Sequence, residues 1–212
     1  MIFFLIIRQF IFYNNRMNKN LVPFAGLSDF ANQMRDLIEN LSKDNASVLL
    51  IGERGTGKRL ISQHIHYKAT GNFGYFFEIN CKSFEKQQII EAFSTVENLI
   101  ALNQKITLFV SFADELSNEM QMVFKTFLQK TAKKSLNIKI ICSVENSLEE
   151  KVSRGYFLPD LYYRLNSVVL NVLPLRQRKE DVIPIAQTYL KSFSKKSGYN
   201  FTDFSEDACL SM

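Results

Sequence analysis

An α/β fold, with a mostly parallel sheet covered by helices on both faces, is what this sequence predicts. Three observations carry that expectation. Residues 47–51 (Ser-Val-Leu-Leu-Ile) read as a buried strand, residues 52–58 (Gly-Glu-Arg-Gly-Thr-Gly-Lys) as a glycine-rich loop, and residues 60–66 as the start of a helix. Further apolar strand-like runs alternate with helical periodicities to the end of the chain. A composition of 46% hydrophobic and 22% charged residues is that of an ordinary globular domain.

The elements follow in order. Phe30, Met34, Leu37, Ile38 and Leu41 have helical spacing. Asp44 and Asn45 turn the chain into the strand before the loop, and the helix after the loop ends near Thr70-Gly71-Asn72. Residues 75–80 form a second strand, and residues 84–93 a helix with Ile89, Ile90 and Phe93 inward. Residues 94–105 then read as a linker to a third strand over 105–112. Leu116, Met120, Val123, Phe124, Phe127 and Leu128 mark an amphipathic helix, and the basic cluster Lys130, Lys133 and Lys134 falls in a loop after it. A fourth strand covers 138–144, a helix begins over 148–152, a fifth strand covers 168–173, and Pro174 leads into a helix over 181–193.

Strand, glycine loop, lysine and helix make the P-loop arrangement. Gly52, Gly55 and Gly57 let backbone N–H groups turn inward around a phosphate, with Glu53, Arg54 and Thr56 between them. Lys58 would meet the β- and γ-phosphates as a point charge. The usual next residue is Ser or Thr, whose hydroxyl holds Mg²⁺; here it is Arg59. The loop therefore argues for a nucleoside triphosphate more than for magnesium. Glu53 is expected to face solvent. Arg59 either adds a phosphate contact or points to water.

The bulk numbers exclude several classes. Net charge is +5, with basic residues scattered and no basic-and-aromatic platform of the kind that binds single strands. Three well-separated cysteines, Cys81, Cys142 and Cys209, and two histidines, His64 and His66, offer no zinc spacing. Two of the three cysteines flank or sit in apolar strand-like runs and read as small buried side chains in a reducing compartment, which places the chain in the cytoplasm. Residues 1–13 are intensely apolar, but too short to span a bilayer, which needs about 20 residues. They also lack a basic n-region and a cleavage site. Residues 1–16 read as an extension ahead of an ordinary start at Met17, 17–173 as the α/β nucleotide-binding core, and 174–212 as a partial helical lid.

Beyond the loop, four strings resemble one family, the AAA+ central domain of sigma-54-dependent bacterial transcription activators. They are residues 52–58, Ile79-Asn80-Cys81, the segment from Phe157 through Asp160-Leu161-Tyr162-Tyr163-Arg164-Leu165-Asn166, and Pro174-Leu175-Arg176 with Arg178, Glu180 and Asp181. The resemblance covers residues 22–212. It implies a P-loop NTPase fold of AAA+ type with a truncated helical lid, ATP as ligand, ring assembly with itself or full-length relatives, and sigma-54 RNA polymerase as partner.

The departures from that family bear on activity. Its Walker B strand ends in Asp-Glu, where the alignment places Ser111 and Phe112; Asp114-Glu115 follows, and would serve only if the alignment slipped by three residues. Its polymerase-contacting G-A-F-T-G-A loop finds no room before the third strand, because no glycine occurs between Gly74 and Gly155. Of its two intersubunit arginines, Leu158 replaces one and Arg164 keeps the other, as an arginine finger or as a helix-end salt bridge. Val144-Glu145 replaces its polar sensor, and no DNA-binding helix-turn-helix is recognised. The expected function is ATP binding without hydrolysis and without polymerase activation. The alternatives are an active ATPase remodelling another protein, and a remnant of an activator.

Overall fold

The computed structural model describes residues 21–71, 73–132 and 137–211; the apolar extension expected over 1–16 lies outside them. Five parallel strands form one sheet in the order β2-β3-β4-β1-β5. They are β1 (Val48–Ile51), β2 (Tyr75–Asn80), β3 (Ile106–Ser111), β4 (Ile138–Val144) and β5 (Val168–Asn171). Between them run α1 (Asp29–Leu41, ahead of β1), α2 (Lys58–Thr70), α3 (Lys86–Ala101), α4 (Asn118–Ala132), α5 (Glu149–Ser153) and α6 (Pro159–Leu165); α7 (Val182–Ser197) and α8 (Glu206–Leu210) follow β5. Parallel neighbours need crossover connections, and helices supply them, so both faces of the sheet are buried.

Alternation along each strand divides the core in two. Leu108 and Val110 of β3 face α3, α4 and α6, where Phe93 stacks on Phe124 and Phe127 with ring centroids 5.1 and 4.7 Å apart. Phe109 faces the other way, with Met34 and Ile38 of α1 and Ile61 and Ile65 of α2. Buried His66 fastens α2 to the sheet, its Nδ1 2.9 Å from the Thr107 hydroxyl.

Several boundaries differ from expectation. The linker expected over 94–105 is mostly helix, because Val96 and Ile100 extend the buried stripe of Ile89, Ala92 and Phe93 and no Gly or Pro interrupts it. Lys130 lies in the last turn of α4 rather than in a loop, since Leu128 and Thr131 keep that helix packed; Lys133 and Lys134 lie outside the described residues. The third strand stops at Ser111, because Phe112 takes a left-handed backbone with φ of 56°. The fifth strand ends at Asn171, and α7 runs past Phe193 to Ser197. A helix that the periodicity did not announce, α6, starts on Pro159, whose fixed φ suits a first turn. Cys142 is fully buried, as expected, while Cys81 and Cys209 are half-buried.

Burial pushes the His66 imidazole down from 6.5 to about 4, against a weaker opposing pull from the Gly74 backbone. The folded ring is thus neutral where the unfolded ring is charged. Unfolding takes up a proton between those two values, so stability falls as pH drops through that window, by roughly 2–3 kcal/mol at its foot. Urea titrations of His66→Gln should show a flatter stability profile between pH 6.5 and 4 than the unsubstituted chain.

Candidate nucleotide site and its clamp

The P-loop leaves β1 at Ile51, next to the last residue of β4: the Gly52 N–H donates to the Val144 carbonyl at 3.2 Å. A side chain at Gly52 would strike the Val172 carbonyl, 2.5 Å from where its Cβ would stand. Gly57 caps α2 with φ of 98°, which favours glycine and turns the loop into the helix. Lys58 opens α2 and reaches back over its own loop, its Nζ donating to the carbonyls of Gly52 at 2.5 Å and Glu53 at 2.8 Å. Burial lowers the Lys58 pKa, and the charges of Glu145 and Asp114 oppose that shift.

A clamp behind the loop holds it in place. Buried Thr56 donates its hydroxyl to the Glu53 carbonyl at 2.9 Å, and its own carbonyl accepts from Arg178 Nη2 at 3.0 Å. Arg178 is buried over the Phe30 ring, 5.0 Å from its centroid, and faces Asp181 at 3.5 Å. Asp181 has no exposed surface. Its Oδ1 accepts from the N–H groups of Leu27 and Ser28 at 2.7 and 2.8 Å, and its Oδ2 accepts from the Ser28 hydroxyl at 2.8 Å. Burial alone would raise its pKa; the hydrogen bonds from Ser28 and Leu27, with the Arg178 charge, outweigh burial and hold it below the ordinary value. Ser28 in turn caps α1 by accepting from the Ala31 N–H at 3.1 Å.

Glu53 is exposed, as expected, and Arg176 grips it with both terminal nitrogens, at 2.8 and 2.5 Å. Arg59 neither reaches into the loop nor stands free in water: its Nε lies 2.6 Å from Glu78.

The ends of β3 and β4 face the loop. Ser111, in register with Asn80 and Ser143, donates its hydroxyl to the Ile79 carbonyl at 3.3 Å. The Phe112 ring lies under Lys82 Nζ at 4.5 Å and Arg54 Cζ at 5.4 Å. Glu145 Oε1 is 3.1 Å from Arg54 and 3.1 Å from Lys82, and Lys82 is 3.5 Å from Glu115. Asp114 sits in a short 3-10 turn after β3, with Oδ2 3.3 Å from Lys151 and Oδ1 buried without a hydrogen-bond partner. Arg164 lies exposed in the last turn of α6.

The model of the family described as the Sigma-54 interaction domain matches residues 24–171. The chain belongs to that family. Among relatives of the sigma-54 interaction domain, a sigma-54-dependent transcriptional activator, SfnR of Pseudomonas putida, is 32% identical over 191 residues, covering 81% of this chain and 52% of that protein. The regulatory protein LuxO of Vibrio parahaemolyticus is 31% identical over 214 residues, covering 92% of this chain and 47% of LuxO. The chain spans about half the length of these curated relatives. In fold it is similar to NtrX of Brucella abortus in complex with ADP, with a TM-score of 0.74 at 22% identity over 92% of this chain and 48% of that one. It is also similar to the P-loop NTPase domain of a sigma-54 transport activator from E. coli, with a TM-score of 0.50 at 26% identity over 71% of this chain and 99% of that one. The fold of this sigma-54 interaction domain is thus the AAA+ P-loop NTPase fold. Among the described residues no helix is long and apolar enough to cross a membrane, and no group of His, Cys, Asp and Glu could hold a metal ion.

Sequence reasoning placed Gly52 to Arg59 together, and the structure does the same, apart from turning Arg59 to Glu78. It missed Arg178, Asp181 and Ser28 as supports of the loop, and Lys82 and Glu145 as its charged neighbours. The string from Pro174 to Asp181 was visible as a motif, but its partners lie more than 100 positions earlier in the chain. Removing one partner of a buried ion pair strands the other charge. Asp181→Ala should therefore cost roughly 3–5 kcal/mol in urea unfolding.

Proposed function

We propose that this domain binds an adenine nucleotide in its P-loop, turns it over at no more than background rate, and regulates through partners rather than by opening promoter DNA itself. One observation carries the reading. Where a hydrolysing site needs two carboxylates, the end of β3 presents a hydroxyl committed to the Ile79 carbonyl and a phenyl ring lying against two cations. Neither side chain offers the carboxylate that would take a proton from water or bind a metal ion through negative oxygens.

The loop itself fits the nucleotide. The Gly57 turn, the N-terminus of α2 and Lys58 supply the amides and the charge that phosphates require. Adenine is inferred from the family, and NtrX crystallised with ADP and with ATP supports it. Magnesium fits poorly. The position after Lys58 is an arginine paired with Glu78, and the Ser111 hydroxyl is turned to the Ile79 carbonyl.

Polymerase activation lacks its contact loop as well as its carboxylates. Residues 102–105 are all that join α3 to β3. Arg164, exposed at the end of α6, is available to a neighbouring subunit's phosphate, which supports a role inside a ring of this chain or of full-length relatives.

A second reading, active hydrolysis with Asp114 as the working carboxylate, is favoured by that residue's buried, unpartnered oxygen and by its electrostatic effect on Lys58. Phosphate release abolished by Asp114→Asn would establish it over the first.

Calorimetric titration should show nucleotide binding that Lys58→Ala weakens by roughly 1.5–3 kcal/mol, the range for a hydrogen bond to a charged group. No binding at millimolar nucleotide would refute the site. With ATP and this chain as sole activator, no open complex should form on a sigma-54 promoter; open complexes would refute the regulatory part of the reading.

A further inference from the structure

Glu145 is the charged neighbour of the loop that nucleotide binding leaves without a role. It follows β4 directly, and the residue before it accepts the Gly52 N–H, so Glu145 stands at the mouth of the P-loop. Its Oε1 lies 3.1 Å from Arg54, within the loop, and 3.1 Å from Lys82, beyond β2. Both cations also rest on the Phe112 ring at the end of β3, and Lys58 feels the Glu145 charge. Two cations from different parts of the chain thus meet on one carboxylate, whose charge also reaches Lys58. A carboxylate held in this way makes the same charge-assisted hydrogen bonds that a phosphate oxygen would make.

The order of phosphates along a P-loop is set by its chemistry. Loop amides cradle the inner phosphates, the lysine reaches the β- and γ-phosphates, and the outermost phosphate lies toward the strand ends. In this chain those strand ends offer Phe112 and Glu145. We infer that Glu145, by occupying Arg54 and Lys82, makes the site select a nucleoside diphosphate over a triphosphate; this rests on the nucleotide-binding reading above.

A third phosphate must either displace Glu145 from its two cations or lie beside its charge. No side chain at the end of β3 is suited to bring in a metal that would neutralise the contact. A diphosphate stops short of that encounter and keeps the loop amides and Lys58.

The test is calorimetric titration of the full chain with ADP and with ATP, each in EDTA and in excess Mg²⁺. The unsubstituted chain should bind ADP about tenfold more tightly than ATP, in the same order in both buffers. Glu145→Gln, which keeps the shape and removes the charge, should shrink the ratio to about twofold by strengthening ATP more than ADP. Lys82→Met, which leaves Glu145 less compensated, should widen it. Thermal melting of each variant verifies that the fold persists. ADP binding with a ratio that Glu145→Gln leaves unchanged, or tighter ATP than ADP in the unsubstituted chain, overturns this inference alone. No binding of either nucleotide to any variant overturns the nucleotide-binding reading and this inference with it.

Discussion

Asp181 carries a charge in a place with no solvent, and that is stable only because every lone pair facing the interior has a donor. Two backbone N–H groups, one hydroxyl and one guanidinium meet it, and they come from the entrance to α1 and from Arg178. Arg178 passes the constraint onward to the Thr56 carbonyl inside the P-loop. A bend of the chain after β5 therefore sets the position of α1 and the shape of the loop at once. Moving any of these parts would leave a buried donor or acceptor unpaired, which costs more than an ordinary hydrogen bond is worth.

The loop and the strand ends obey different constraints. Backbone sterics at Gly52 and Gly57, together with the clamp, fix the loop, so its shape does not depend on what the neighbouring strands end in. At the ends of β3 and β4 the side chains settle their charges among themselves: Arg54 and Lys82 against Glu145 and Glu115, Lys151 against Asp114. A phosphate cradle can thus persist while the groups that would activate water are replaced. In the function we propose, binding and turnover rest on different residues of one site, and only the first set is kept intact.

Where local chemistry determined an element, the sequence made it legible. β1, the loop and α2 were read correctly, because a buried apolar run, glycines at turn positions and helical periodicity each carry their own signal. The opposite faces taken by Leu49 against Val48 and Leu50 in β1, and by Phe109 against Leu108 and Val110 in β3, follow from strand alternation alone. The extension of α3 was missed because only burial of Val96 and Ile100 distinguishes that helix from a polar linker, and burial depends on what packs there. The clamp was missed for a stronger reason. Ser28 and Asp181 are 153 positions apart, and nothing in either neighbourhood specifies the other. The pairing of Arg59 with Glu78 is of the same kind, a contact created only when β2 comes alongside the start of α2.

The central claim is that the end of β3 uncouples nucleotide binding from hydrolysis. Single-turnover phosphate release from radiolabelled ATP, with protein in excess over nucleotide, tests it most directly. The account predicts a rate constant indistinguishable from the protein-free reaction, and incomplete recovery in the Ser111→Asp, Phe112→Glu double variant, since Leu158 still stands where the family carries the first of its two arginines. Release well above background from the unsubstituted chain would contradict it.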